Sequence, residues 1–262
     1  MSVFKKLLKT LVVVGSVSLM GFGAISVASA DELDTLKERG VVRIAMTGAY
    51  PPFNFVSESN EVVGFDPAIG AEIFKRMGLD VEIITTAWDG IIGGLLANKY
   101  DAIVGSMSIT EERKEVVDFV GPYYSTMRAI FTLSGSEITS VAQLDSAKIG
   151  VTLGETHEQW AREQGYKKIK TYKGLPELLL ELENGRVDVI IGDSVAVILA
   201  AKASGLDAVQ IQDLVTESVG AGIAIRKGNP ELHTAMQKAL DAMQDDGTYL
   251  SIAKEWVGAD IR

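Results

Sequence analysis

Arg113, Asp193 and the short polar stretches around them hold most of the chemistry this 262-residue chain can offer. In "GSMSITEER" an apolar run ends at Gly105, Ser106, Met107 and Ser108, and Ser108 or Thr110 can cap a helix. Arg113 follows Thr110 by three residues, about one turn into that helix. There a guanidinium can fork a carboxylate with two parallel hydrogen bonds. The free amides of a helix start strengthen such an anion site. "TLGETHEQW" offers a second start of this kind at Glu155 and Thr156, and "VDVIIGD" ends in Asp193. A positive pole opposite a negative one suits a ligand that carries a carboxylate beside an ammonium. The bland alternative for Arg113 is a solvated place in a charge-rich helix start.

These residues need strands to deliver them. Short β-branched runs alternate with helical patterns, the signature of an α/β fold with largely parallel sheets. "VVRIAMTG", "DVEIIT" and "YDAIVG" read as strands. "GFDPAIGAEIFKRMG" reads as a helix capped by Asp66, with Pro67 at the first helical position, and Asp89 to Asn98 reads as another. The second half restarts with "AKIGVTLG", "IKTY", "LPELLLELENG" and "VDVIIG". Three matched elements in one order predict two similar lobes, although helix–turn–strand units also recur by coincidence. In open parallel sheets ligands sit beyond the carboxyl ends of strands. That singles out Thr47 to Tyr50, Gly105 to Ser108, Gly154 to Thr156, and Asp193, where the second copy departs from Ser106 of the first. The lobes expected are 31–125 with 222–262, and 126–221, with crossings near Ser125 to Ile130 and Val219 to Ile223.

The first thirty residues are expected to stand outside this fold. Lys5, Lys6 and Lys9 precede an apolar run from Leu11 to Val27, and "ASA" ends at Ala30. That is the pattern of a cleaved secretory signal at residues 1–30, and a retained membrane anchor is its rival. Without Cys there are neither disulfides nor thiolate metal sites. Removing the signal leaves 22 Lys and Arg against 35 Asp and Glu, a balance of −13. Such a surface has no basic footprint for nucleic acid. No catalytic residues, metal or cofactor are expected.

Beyond these patterns, "YPPFNF", "GFDPAIGAEIFKRMG", "DAIVGSMSITEER" and "VGAGIAIRKGNPELHTAMQKALDAMQDDGTYLSIAKEW" resemble the periplasmic amino-acid-binding proteins of ABC importers. Those are the polar-amino-acid members of the type II solute-binding fold, and the resemblance runs over essentially all of 31–262. It implies a hinged two-lobe α/β protein, monomeric, in the periplasm, that passes an L-amino acid to membrane permease subunits. It implies that Arg113 forks the ligand α-carboxylate, with Ser106, Met107 and Ser108 beside it and Thr156 donating to the same group. It implies that Asp193 accepts from the α-ammonium and that Tyr50 and Trp88 cover the ligand.

The departures leave alternatives open. Gly154-Glu155-Thr156 stands where that family often has Gly-Thr-Thr, so Glu155 either turns away or meets a cationic group. Thr47 stands where binders of basic amino acids often carry an acid. His157 is compatible with facing the ligand and with a surface place, and Trp88 with stacking and with the core. Trp160 and Trp256 read as packing residues. "RIAMTGAYPPF" also resembles periplasmic cyclohexadienyl dehydratases, enzymes on the same scaffold, for which Glu155 and His157 would be the general-acid candidates.

Overall fold

In the computed structural model residues 31–211 and 218–262 are described, so the expected signal segment lies outside the described residues. The first half runs α1 (Glu32–Arg39), β1 (Val41–Met46), a small meander β2 (Ala49–Tyr50), β3 (Asn54–Val56) and β4 (Val62–Val63), then α2 (Phe65–Arg76) and β5 (Asp80–Thr85). A single turn at Trp88–Gly90 leads into α3 (Ile91–Leu96), followed by β6 (Ala102–Ser108), α4 (Glu111–Val116) and the long β7 (Val117–Leu133). The second half runs β8 (Ile149–Thr152), α5 (Thr156–Glu163), β9 (Ile169–Tyr172), α6 (Leu175–Glu183), β10 (Val189–Asp193), α7 (Ser194–Ser204) and β11 (Ala208–Gln210). It closes with β12 (Ser218–Arg226), α8 (Pro230–Asp245) and α9 (Thr248–Trp256).

The sheet order is β5-β1-β6-β12-β7-β10-β8-β9, with β11 on β7. β5, β1 and β6 are parallel to one another, as are β10, β8 and β9. In each set the strand earliest in the chain lies in the middle, which is the repeat read as topology. The antiparallel pair β12 and β7 stands between the sets. β7 pairs with β12 from Val117 to Met127 and with β10 from Arg128 to Phe131, so one strand serves both ladders.

The repeated Asp has a local reason. The backbone N–H of Arg43, at the start of the middle strand of the first set, donates to Asp101 at 2.8 Å, and the N–H of Asp101 donates back to the Arg43 carbonyl at 2.8 Å. The second copy makes the same exchange: Lys148 N–H to the Asp188 carboxylate at 2.7 Å and Asp188 N–H to the Lys148 carbonyl at 2.8 Å. Each Asp thus clips the start of the third strand of its unit to the start of the first. Arg39 and Arg43 then hold the Asp101 carboxylate, which lies below the ordinary range because these bonds outweigh its burial.

One helix start differs from expectation. α2 begins at Phe65, its cap is Gly64, and Asp66 does not cap it. Gly64 has φ of +129°, and a side chain there would meet the Phe53 carbonyl, so glycine is required. Asp66 is instead fully buried beneath the strand ends. It accepts from Asn54 Nδ2 at 2.6 Å, Tyr123 Oη at 2.6 Å and Ser106 Oγ at 2.8 Å. Burial raises its carboxyl to about 6, with the three hydrogen bonds pulling the other way. A buried acid with three donors is held by them in preference to a helix cap.

Candidate functional site

The expected residues after the strand ends do meet. Tyr50, Trp88, Ser106, Ser108 and Arg113 from the first half line one cavity with Glu155, Thr156, His157 and Asp193 from the second. Its enclosed space is about 20 Å³, room for about one water molecule and too little for a larger ligand with the walls as they stand.

Arg113 stands on α4, capped by Thr110, whose Oγ1 accepts the Arg113 N–H at 3.2 Å. The helix is short and runs straight into β7, so the positive pole rests on the guanidinium more than on the helix end. Arg113 Nη1 donates to the Ser108 carbonyl at 2.9 Å, and the guanidinium lies 5.5 Å from the centre of the Trp88 ring. Burial lowers its pKa. Trp88 serves two ends at once, since it lines the cavity and packs with Ile91, Leu95 and Met107. Met107 is fully buried in that cluster and borders the next cavity outward, away from the one around Asp193.

Ser106 has φ of +60° and both its donors are engaged elsewhere: its N–H reaches Tyr123 Oη at 2.8 Å and its hydroxyl reaches Asp66. Its part is to join the cavity wall to the buried acid. The same acid holds the neighbouring strand end, because Asn54, which donates to it, accepts through Oδ1 from Thr47 Oγ1 at 3.0 Å and Gly48 N–H at 2.9 Å.

The negative pole is Asp193 at the end of β10. Its Oδ2 accepts from Tyr50 Oη at 2.5 Å and its Oδ1 lies 3.4 Å from His157 Nε2. His157 is buried on the first turn of α5, and its Nδ1 accepts from Arg128 Nε at 3.4 Å. Burial alone would raise Asp193, but His157, Tyr50 and Arg128 hold its carboxyl below the ordinary range. Asp193 therefore stays ionised with room for one more donor. Glu155 does face the cavity. Burial and the nearby Asp193 raise its carboxyl to about 7, against the opposing pull of His157 and Arg113.

The sequence reading missed Lys173 and Gly174, which line the cavity just after β9. The rule of strand ends would have found them, had it been applied to every strand of the second half. Among the described residues no group of three or more His, Asp or Glu is placed to hold a metal ion, and no helix is long and apolar enough to cross a membrane. Trp160 stacks edge-on with Tyr166, and Trp256 with Phe55.

This frame of paired strand ends around opposed charges matches a known one. Residues 42–259 fit the model of the bacterial extracellular solute-binding proteins, family 3. The chain belongs to this family. The chain is similar to the L-cystine-binding protein TcyJ of Escherichia coli K12, 31% identical over 260 residues, covering 94% of this chain and 97% of the relative. The L-arginine-binding protein of Pseudomonas aeruginosa is 32% identical over 255 residues, covering 93% and 97%. Among solved structures, an ancestral amino-acid-binding protein described as a precursor of cyclohexadienyl dehydratase superposes with a TM-score of 0.79 at 34% identity, covering 87% of this chain and all of that one. The relatives named here are binding proteins and not enzymes, and the fold is the type II periplasmic binding fold.

Proposed function

We propose that this family 3 protein captures an L-amino acid between two lobes in the periplasm and hands it to the permease subunits of an ABC importer. The observation that carries this reading is one cavity walled by Arg113 on one side and an ionised Asp193 on the other. A zwitterion matches that polarity end for end. The lobes are those drawn from the sequence, 31–125 with 222–262 and 126–221, and residues 1–30 are a cleaved signal. The receptor works as a monomer. The names of its relatives, which bind cystine and arginine, support the ligand class. The dehydratase reading has less support: the structural neighbour that touches it is itself described as amino-acid-binding.

A thermal-shift panel of amino acids, opines and prephenate on residues 31–262 tests the reading, because a ligand of the folded state raises the melting temperature. At least one amino acid should raise it, and prephenate should come back unchanged. Asp193→Asn should weaken that amino acid far more than its deaminated analogue. Equal losses for both would remove Asp193 from the site.

A further inference from the structure

Two cavities share a wall at Glu155. The inner one holds Arg113 and Asp193, and the outer one, of about 650 Å³, shares Trp88, Arg113, Glu155 and Thr156 with it. In the inner cavity a plain zwitterion satisfies Arg113 with its carboxylate and Asp193 with its ammonium. Glu155 is then left over. It feels Arg113, His157 and Asp193, and the buried phenols of Tyr50 and Tyr124 lie within its field. His157 turns its Nε2 to Asp193 at 3.4 Å rather than to Glu155, and Lys173 lies at the exposed rim, where water screens it. Once a ligand carboxylate occupies Arg113, an ionised Glu155 faces a like charge with no cation of its own.

The outer cavity has the same sign. Asp89, Glu112, Glu158 and Glu163 stand on its walls against Arg162, itself held by Glu158 at 2.7 Å. A negatively charged mouth gathers cations and slows anions. Taking the amino-acid reading above as its basis, we infer that Glu155 is a specificity-determining residue that selects amino acids bearing a second positive group. Such a ligand supplies the charge that Glu155 lacks when the cleft is filled. A neutral ligand must instead bind with Glu155 protonated.

The sign of the pH effect follows. The Glu155 carboxyl is raised to about 7. Below that pH Glu155 is neutral and tolerates either ligand. Above it Glu155 is charged, so a cationic ligand gains and a neutral one loses. Comparing a cationic amino acid with its neutral isostere cancels what is common to both, such as the contacts of the shared α-carboxylate and α-ammonium.

Calorimetry on residues 31–262 decides the matter with L-arginine against L-citrulline and L-lysine against L-glutamine, at pH 6 and pH 8.5. The wild type should prefer the cationic partner, and its advantage should grow by about tenfold or more at the higher pH, as one unscreened charge at close range implies. Glu155→Gln should bring each pair within about threefold at both values and strengthen the neutral ligands at pH 8.5. A wild type that binds neutral partners as well as cationic ones, or a preference that survives Glu155→Gln, overturns the inference. The wild-type pH series needs no variant, so a misfolded Glu155→Gln does not rescue it. A protein that gives heat with no amino acid at all sinks the functional reading, and this inference goes with it.

Discussion

At the scale of single residues, the sharpest claim concerns Arg113. Its guanidinium is largely desolvated, rests on Trp88 and is fixed by one hydrogen bond to the Ser108 carbonyl. That leaves most of its donors for a ligand carboxylate. Removing one partner of a buried charge pair costs on the order of 2–5 kcal/mol, because the other stays buried and unpaired. At about 1.4 kcal/mol per tenfold, Arg113→Ala should weaken amino-acid binding by roughly 30-fold to several thousand-fold. Arg113→Lys should recover part of the loss, since an ammonium lacks the planar fork and stacks less well on Trp88. Titration calorimetry reads both, and an affinity within a few-fold of wild type would return Arg113 to the role of a solvated helix residue. Arg113, Asp193 and Thr156 could be picked out from sequence because strand ends in parallel sheets have known destinations. The inward turn of His157 could not be: it depends on Arg128 and Asp193 meeting it from two other strands.

At the scale of elements, the repeat was legible because its signal is local. β5 and β9 cover the runs "DVEIIT" and "IKTY" read as strands, and both third strands are immediately preceded by the Asp that clips them to the first. The start of α2 was misjudged for the opposite reason. A sequence window shows Asp before Pro at a helix start, whereas the partners of Asp66 come from β3, β6 and β7. This acid braces two neighbouring strand ends of the site, through Ser106 on β6 and through Asn54 to Thr47 and Gly48 after β1. Asp66→Asn would set an amide N–H₂ against donors that need an acceptor. Leaving such buried groups unsatisfied costs roughly 1–3 kcal/mol. The urea midpoint at pH 7 should fall accordingly with the slope unchanged. A midpoint equal to wild type would mean that the network relaxes around the amide and braces nothing.

At the scale of the whole molecule, the cleft is closed by contacts too tight for side chains. Tyr50 of the first half bonds Asp193 of the second, and beside them Gly174 packs on Ala49. A Cβ on Gly174 would lie 2.7 Å from the Ala49 carbonyl oxygen and 2.8 Å from its Cβ, too close for either backbone to remain in place. Yet Gly174 has φ of −178°, extended backbone that any residue adopts. The glycine is therefore needed only when the two halves touch. No sequence window announces this, since the contact joins residues 125 positions apart. Gly174→Val should leave a folded molecule whose cleft is propped open, with its melting temperature near that of wild type in the absence of ligand. Wild type should contract on saturation with its amino acid, as hinged binding proteins do, and small-angle scattering should show a smaller radius of gyration. In Gly174→Val the contraction should be lost and affinity should fall with it, because the two poles no longer reach one ligand together. A variant that contracts and binds like wild type would show that the Gly174 contact is incidental to closure. An unchanged radius in wild type itself would remove the hinge altogether.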